Sequence, residues 1–181
     1  MNPLDVIEYY YTPGSRLYEI LVRHGEDVAR KADLIIDKVA FMNPNREFVY
    51  EASMLHDIGI FLTDTPKLGC TGSSPYVCHG YLGRKLLDEQ NLPIHALVCE
   101  RHVGCGITIE DIRTNNLPLP ERDMIPLSIE EKIVCYADKF FSKKGFPEGT
   151  EKSVEEITKH LALFGREKGV IFQEWMQLFG V

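Results

Sequence analysis

Apolar side chains recur every three or four residues along most of this 181-residue chain. The clearest stripe runs from residue 17 to residue 39, and Gly25 leaves open whether it forms one helix or two. The stripe consists of Leu17, Ile20, Leu21, His24, Val28, Ala32, Ile35 and Val39. Such spacing places side chains on one face of an α-helix, whereas a strand needs apolar and polar residues to alternate. No alternating run of useful length occurs, and the pattern therefore predicts an all-α fold.

Capping and turn residues mark the ends of further helices. Gly59 follows a short apolar face and is suited to the positive φ that often ends a helix. Pro93 is a favourable first-turn residue. Ser128 and Ser153 each precede a glutamate by three residues, which is the capping-box pattern. The segment 63–76 is rich in proline and glycine and is predicted to be a loop.

The charge balance limits the partners of the chain. It has 20 Lys and Arg residues against 27 Asp and Glu residues, a net charge of −7 with neutral histidines. A nucleic-acid polymer is therefore not an expected partner, because binding to its backbone needs a basic surface. No apolar run approaches the roughly 20 residues that cross a bilayer, and no membrane association is expected. The first residues do not resemble a secretion signal, so we expect a cytoplasmic protein.

The five cysteines follow no metal-binding or disulfide pattern. They lie at positions 70, 78, 99, 105 and 135, and no two of them form a C-x-x-C pair. An odd number without such pairs argues against both a disulfide framework and a cysteine zinc site. We interpret them as reduced, mostly buried thiols.

Histidines and aspartates occupy core-facing positions of several predicted helices. They are His24, His56, Asp57, His79, His102 and Asp138. One buried histidine is commonplace, but burying four of them with two carboxylates costs several kcal/mol for each unpaired charge. A cation that binds imidazole nitrogen and carboxylate oxygen would satisfy all six side chains. This mixture of ligands favours a divalent transition metal, Fe, Mn, Zn, Co or Ni, over calcium.

The adjacent residues His56 and Asp57 have a particular geometry. Neighbouring helical residues project about 100° apart and can approach one ion from two directions. Since a carboxylate has two oxygens, Asp57 is also able to bridge two ions. We therefore expect one or two metal ions at this position.

The ordered set His24, His56-Asp57-Ile58-Gly59, His79, His102 and Asp138 resembles the HD superfamily of metal-dependent phosphohydrolases, in its HDIG subgroup. The resemblance implies a helical bundle around the metal site. In the family pattern, His24, His56, Asp57 and Asp138 hold the first metal. His79 and His102 hold a second, with Asp57 as the bridge. The arrangement is similar to that of dinuclear bacterial members that split diadenosine tetraphosphate symmetrically.

The resemblance also implies a reaction. It is the hydrolysis of a small phosphorylated metabolite, a nucleotide or dinucleotide, by hydroxide generated from water at the metal ions. Asp57 is the catalytic candidate, as a bridging ligand first and as a group that orients the attacking water second. Two alternatives stay open, since the superfamily also contains di-iron oxygenases and regulatory modules without catalysis.

Positive side chains next to the metal ligands are candidates for binding the phosphate. Arg101 precedes His102, and Lys139 follows Asp138, so each is offset about 100° from a ligand. A solvated surface charge is the alternative for both. Secondary candidates for the same role are Lys67, Arg84, Lys143 and Lys144.

Length and composition fit one domain over residues 1–181. A chain of this size buries roughly 70% of its unfolded surface, which suffices for one core. The motif core spans residues 24–138, with an N-terminal helix within 1–14 and C-terminal helices within 150–181 packed on it. The last helix has an apolar face that we expect to dock on this bundle, with a homodimer contact as the alternative.

Overall fold

The computed structural model describes residues 1–143 and 151–180 and confirms the all-α prediction. Lys144, together with positions 150 and 181 at the limits of the predicted C-terminal segment, lies outside these ranges. Within them, nine α-helices are accompanied by a two-stranded antiparallel hairpin. None of the described helices has the length and hydropathy that crossing a bilayer requires.

The elements follow one another in the chain with short connections. The helices are α1 (Pro3–Tyr10), α2 (Arg16–Lys38), α3 (Arg46–Leu55), α4 (His79–Glu89), α5 (Pro93–Arg101), α6 (Ile109–Thr114), α7 (Ile129–Asp138), α8 (Val154–Ala162) and α9 (Arg166–Phe179). The strands are β1 (Asp64–Thr65) and β2 (Cys70–Thr71), which lie in the predicted loop 63–76. Helix α2 is the longest and is unbroken at Gly25.

One of the two predicted capping boxes is complete. At the start of α8, Ser153 accepts a hydrogen bond from the backbone of Glu156, and the Glu156 carboxylate accepts one from the backbone of Ser153. At the start of α7, Ser128 caps the backbone of Glu131. The Glu131 carboxylate, however, binds the backbone N–H of Leu127 and the guanidinium of Arg101. The second box is therefore only half formed, because a stronger cationic partner takes its carboxylate.

The helices pack around α2, which contacts α3 and α7, while α4 packs against α5. The larger apolar core joins these helices to α9 through stacked aromatic rings. Tyr136 stacks on Phe172 with ring centroids 4.9 Å apart, and Phe179 lies 5.1 Å from the same ring. All three side chains are fully buried. Each contributes roughly 2 kcal/mol through burial, so α9 is firmly held on the bundle.

Gly59 has a different role from the one predicted. Its φ is −85°, so it does not provide a left-handed helix end, and α3 already stops at Leu55. A Cβ atom at Gly59 would collide with the backbone carbonyl of His79 and the backbone nitrogen of Gly83. The absence of a side chain thus lets the turn after α3 lie directly against α4.

We expect Gly59→Ala to lower the free energy of unfolding by about 3 kcal/mol, because overpacking against backbone has no flexible group to relieve it. Chemical denaturation measures this loss. Gly169→Ala is the matched control: it lies inside α9, where an added Cβ would meet nothing closer than 3.8 Å. It should be stabilising by roughly 0.5–1 kcal/mol, the usual difference between Ala and Gly in a helix. Equal stabilities of the two variants would contradict this explanation of Gly59.

All five cysteines are free and buried, as predicted. Burial raises the pKa of the Cys105 thiol to about 11 and that of Cys99 well above its usual range. We therefore expect fewer than one thiol per native chain to react within minutes with a disulfide reagent at pH 8, and all five to react after denaturation. Rapid titration of several native thiols would contradict the burial.

Candidate metal centre

Four helix ends and the middle of one helix supply the predicted ligands. His24 lies in the middle of α2, His56 and Asp57 follow the end of α3, His79 begins α4, His102 follows α5, and Asp138 ends α7. All six side chains are buried. The helices bring to one place residues that are as much as 114 positions apart in the chain.

The first group of ligand atoms comes from His24, His56, Asp57 and Asp138. The Nε2 atom of His24 lies 2.9 Å from Oδ1 of Asp138 and 3.1 Å from Oδ2 of Asp57. The Nε2 atom of His56 lies 3.0 Å from the same Oδ2 and 3.4 Å from Oδ1 of Asp138. Ligand atoms from all four residues lie within 4.8 Å of one another, close enough to share one ion.

The second group uses the other oxygen of Asp57. The Nε2 atoms of His79 and His102 lie 3.2 and 3.5 Å from Oδ1 of Asp57, and 3.1 Å from each other. Each carboxylate oxygen of Asp57 therefore faces a different pair of imidazoles. This is the geometry that a carboxylate bridging two ions requires.

Backbone hydrogen bonds fix the orientation of three of the rings. The Nδ1 atoms of His56, His79 and His102 lie 2.6, 2.6 and 2.7 Å from carbonyl oxygens three residues earlier in the chain. Since a carbonyl only accepts, each Nδ1 must carry the hydrogen. In a neutral ring Nε2 then presents a lone pair to the centre, as a metal ligand needs.

Asp57 provides the test of whether a metal fits. It is fully buried, and among the described residues neither of its oxygens has a hydrogen-bond donor in good geometry, the ammonium of Lys143 aside. A divalent cation in each group would give both of these oxygens a partner, so the residues fit a metal centre.

The protonation of the rings differs between the two groups of ligands. Burial lowers the pKa of His102 to about 3, which keeps its ring neutral. Burial also opposes the charge of His56, but Asp57 and Asp138 outweigh it and raise its pKa to about 9, so this ring would release a proton on binding a metal ion. Burial disfavours ionised Asp57 and Asp138, yet neighbouring Lys143 and Lys139 hold both carboxyl pKa values well below their usual range. Both aspartates are therefore anionic and ready to bind cations.

The two predicted phosphate-binding residues lie beside the centre with protein partners. The ammonium of Lys139 is 2.6 Å from Oδ2 of Asp138 and 3.1 Å from the carbonyl of His102, so it connects the two groups of ligands. The guanidinium of Arg101 donates to both carboxylate oxygens of Glu131 at 3.0 Å. Contact of Lys139 and Arg101 with substrate stays a prediction.

Two further residues join the centre. Lys143, a secondary candidate from the sequence, forms an ion pair with Asp57. Tyr76, which sequence reasoning did not select, stacks its ring on His79 with centroids 4.5 Å apart. No local pattern indicated Tyr76, because it lies in the irregular segment before α4. Of the other secondary candidates, Lys67 is exposed and Arg84 pairs with Glu100.

Comparison with known sequences gives related proteins that are longer than this chain. A tRNA (cytidine(56)-2'-O)-methyltransferase of Picrophilus torridus is 32% identical over 125 residues, which is 68% of this chain and 32% of that protein. An uncharacterised protein of Methanocaldococcus jannaschii is 38% identical over 93 residues, 51% of this chain and 47% of the relative. The chain thus spans about a third to a half of the length of these curated relatives.

Solved structures show the same fold at low sequence identity. The HD domain of the Listeria monocytogenes phosphodiesterase PgpH superposes with a TM-score of 0.54 and 16% identity, covering 96% of this chain and 94% of that one. The same domain in complex with cyclic-di-AMP gives a TM-score of 0.52 and 17% identity, covering 96% and 92%. The family model described as HD domain matches residues 16–142, well over half of the chain, and this match includes all six predicted ligand residues. With the ligands brought together as described, this chain belongs to the HD domain family.

Proposed function

We propose that this chain is a metal-dependent phosphohydrolase with a dinuclear centre that acts on a small phosphorylated metabolite, a nucleotide or dinucleotide. The observation that carries the proposal is Asp57, whose two buried oxygens face two separate groups of imidazoles. Membership of the HD domain family supports the hydrolase class.

The described side chains have distinct tasks in such a reaction. Divalent ions held by these residues would supply an acidified water and neutralise charge on the phosphoryl oxygens. Asp57 holds both ligand groups in register and is placed to orient the attacking water. The backbone hydrogen bonds of His56, His79 and His102 keep the rings from turning away. Burial of the whole cluster excludes bulk water, which strengthens each electrostatic contact.

Imidazole nitrogen and carboxylate oxygen select the metal by their chemistry. Fe, Mn, Zn, Co and Ni accept such mixed donors, whereas calcium prefers oxygen alone. We propose two ions, one held by His24, His56, Asp57 and Asp138 and one held by His79, His102 and Asp57.

The names of similar proteins guide the choice of test substrates. The PgpH domain was solved with cyclic-di-AMP, a nucleotide phosphodiester, and shares its fold with this chain. The methyltransferase activity in two relatives' names belongs to whole proteins of which the matched part is about a third. We propose no tRNA binding for this chain, because its net charge of −7 disfavours a polyanion.

A substrate panel tests the proposal. Metal-free protein is loaded under anaerobic conditions with each of the five metals and incubated with cyclic-di-AMP, diadenosine tetraphosphate, nucleoside mono-, di- and triphosphates and simple phosphate esters. Chromatography of the products should show cleavage of at least one nucleotide with at least one metal. No cleavage by protein that holds two ions would contradict the phosphohydrolase assignment.

Failure of the panel would point to one of two alternatives. Consumption of O₂ by the iron-loaded protein, with a change in the iron spectrum, would indicate a di-iron oxygenase. Binding of a nucleotide without turnover or O₂ consumption would indicate a regulatory module. A homodimer and a cytoplasmic location stay predictions from the sequence.

A further inference from the structure

The ammonium of Lys143 lies directly against Asp57, and the hydrolysis described above gives it no task. Lys143 follows the end of α7 by five residues, and only 10% of its side chain is exposed. Its ammonium contacts Oδ2 of Asp57 and the phenol of Tyr76, which stacks on His79. A cationic side chain therefore reaches the centre of the cluster itself.

The ion pair gives the buried carboxylate of Asp57 the positive charge that it needs. The oxygen that it contacts is the one that faces His24 and His56 in the first ligand group. An ion bound in that group would coordinate the same oxygen. Lys143 and the first metal ion thus compete for Oδ2 of Asp57.

Lys139 differs from Lys143 in the carboxylate oxygen that it contacts. It contacts Oδ2 of Asp138, whereas the imidazoles of the first group face Oδ1 of the same carboxylate. It also donates to the carbonyl of His102, which is not a predicted ligand atom. Lys139 can therefore keep both partners when an ion binds, but Lys143 would lose its carboxylate.

A buried ammonium displaced by a divalent cation needs an anion nearby. The phenol of Tyr76, the other group that Lys143 contacts, carries no negative charge at neutral pH and cannot replace the carboxylate. Two divalent ions held by two aspartates would leave the cluster with a net positive charge, which attracts an anion. An anionic oxygen at the ion of the first group would lie beside Oδ2 of Asp57, the atom that Lys143 contacts, and phosphoryl oxygens are strong hydrogen-bond acceptors for an ammonium.

We propose that Lys143 is an exchangeable phosphate-binding residue, which neutralises Asp57 in the metal-free protein and turns to a phosphoryl oxygen of the substrate once the ions are bound. This inference rests on the proposed function and names the group that recognises the phosphoryl part of the substrate.

The test compares Lys143→Met with the wild-type protein in two binding measurements that need no turnover. Chelator competition gives the metal affinity, and titration calorimetry gives the affinity of the metal-loaded protein for inorganic phosphate. We expect Lys143→Met to bind the first ion about 10-fold more tightly and phosphate about 10- to 100-fold more weakly, as for loss of a hydrogen bond to a charged group. Lys159→Met, which removes an exposed lysine of α8, should change neither affinity.

A purely supporting role for Lys143 predicts the opposite result. If the side chain only stabilises the cluster, Lys143→Met should bind metal more weakly and leave the phosphate affinity of the loaded protein unchanged. Either finding would overturn the proposal.

A measurement on the wild-type protein covers the case in which the variant does not fold. Acetylation of Lys143, followed by mass spectrometry, should be slow without metal, faster after metal loading, and slow again with inorganic phosphate. Equal rates in the three states would overturn the exchange. Loaded protein that shows the exchange but cleaves no phosphate ester would refute the phosphohydrolase and leave the role of Lys143 intact.

Discussion

Asp57→Ala should reduce turnover to background and remove metal from both ligand groups. Both oxygens of Asp57 face imidazoles, so the substitution deletes one ligand from each group at once. Changes to residues that merely orient a ligand cost about 10- to 100-fold in metal affinity, and loss of a shared ligand should cost more. Elemental analysis after dialysis, with the nucleotide assay on the same sample, measures both effects.

Two further variants show whether the effect is specific to the carboxylate of Asp57. Asp57→Asn keeps the volume of the side chain but loses its charge and one of its two oxygens, and should fail as Asp57→Ala does. Asp64→Ala removes an exposed carboxylate seven residues later and should behave as the wild-type protein. If Asp57→Ala kept two ions and normal turnover, the bridging role would be wrong.

Metal loading should raise the melting temperature of the chelator-treated protein by about 10 °C. A ligand present at 1,000 times its dissociation constant stabilises the native state by about 4 kcal/mol, and each kcal/mol shifts the melting temperature of a chain this long by about 2–4 °C. The gain arises because each ion would give a partner to a buried oxygen of Asp57 that has no hydrogen-bond donor in good geometry. Differential scanning calorimetry with Mn, Co, Ni, Zn and anaerobic Fe(II) measures it.

Histidine variants test the two ligand groups separately, through the number of ions that each variant binds. His102→Ala should lower the stoichiometry from two ions to one, since only the second group loses a ligand. His95→Ala is the matched control, because His95 pairs with Glu51 away from the centre and should leave two ions bound. An unchanged melting temperature on metal loading, or equal stoichiometry in both variants, would contradict the two-group description.

The sequence rules predicted correctly those features that depend on residues close together in the chain. The apolar spacing along α2 and the caps at Ser128 and Ser153 predicted helices that the structure contains. The same rules erred where a distant group intervenes. Gly59 was expected to end a helix, but α4 decides its role, and Glu131 leaves its capping box for Arg101.

The residues of the candidate site show the same difference between what the sequence and the structure identify. The histidines and aspartates were identifiable because charged and imidazole side chains at core positions need a common partner. Tyr76 was not identifiable from the sequence, because its segment has no periodicity and only the stacking of its ring on His79 places it in the site. Lys143 was one of several lysines, and only its contact with Asp57 distinguishes it.

The order of residues along the chain by itself determined the helices and the kinds of side chain available as candidate metal ligands. These follow from a helical repeat of 3.6 residues and from the cost of burying charge, both of which can be read without coordinates. The tertiary structure alone decided which oxygen of Asp57 faces which imidazoles, and which lysine reaches it. Those contacts depend on how α2, α3, α4, α5 and α7 pack, and packing joins residues whose separation in the chain carries no information about their distance in space.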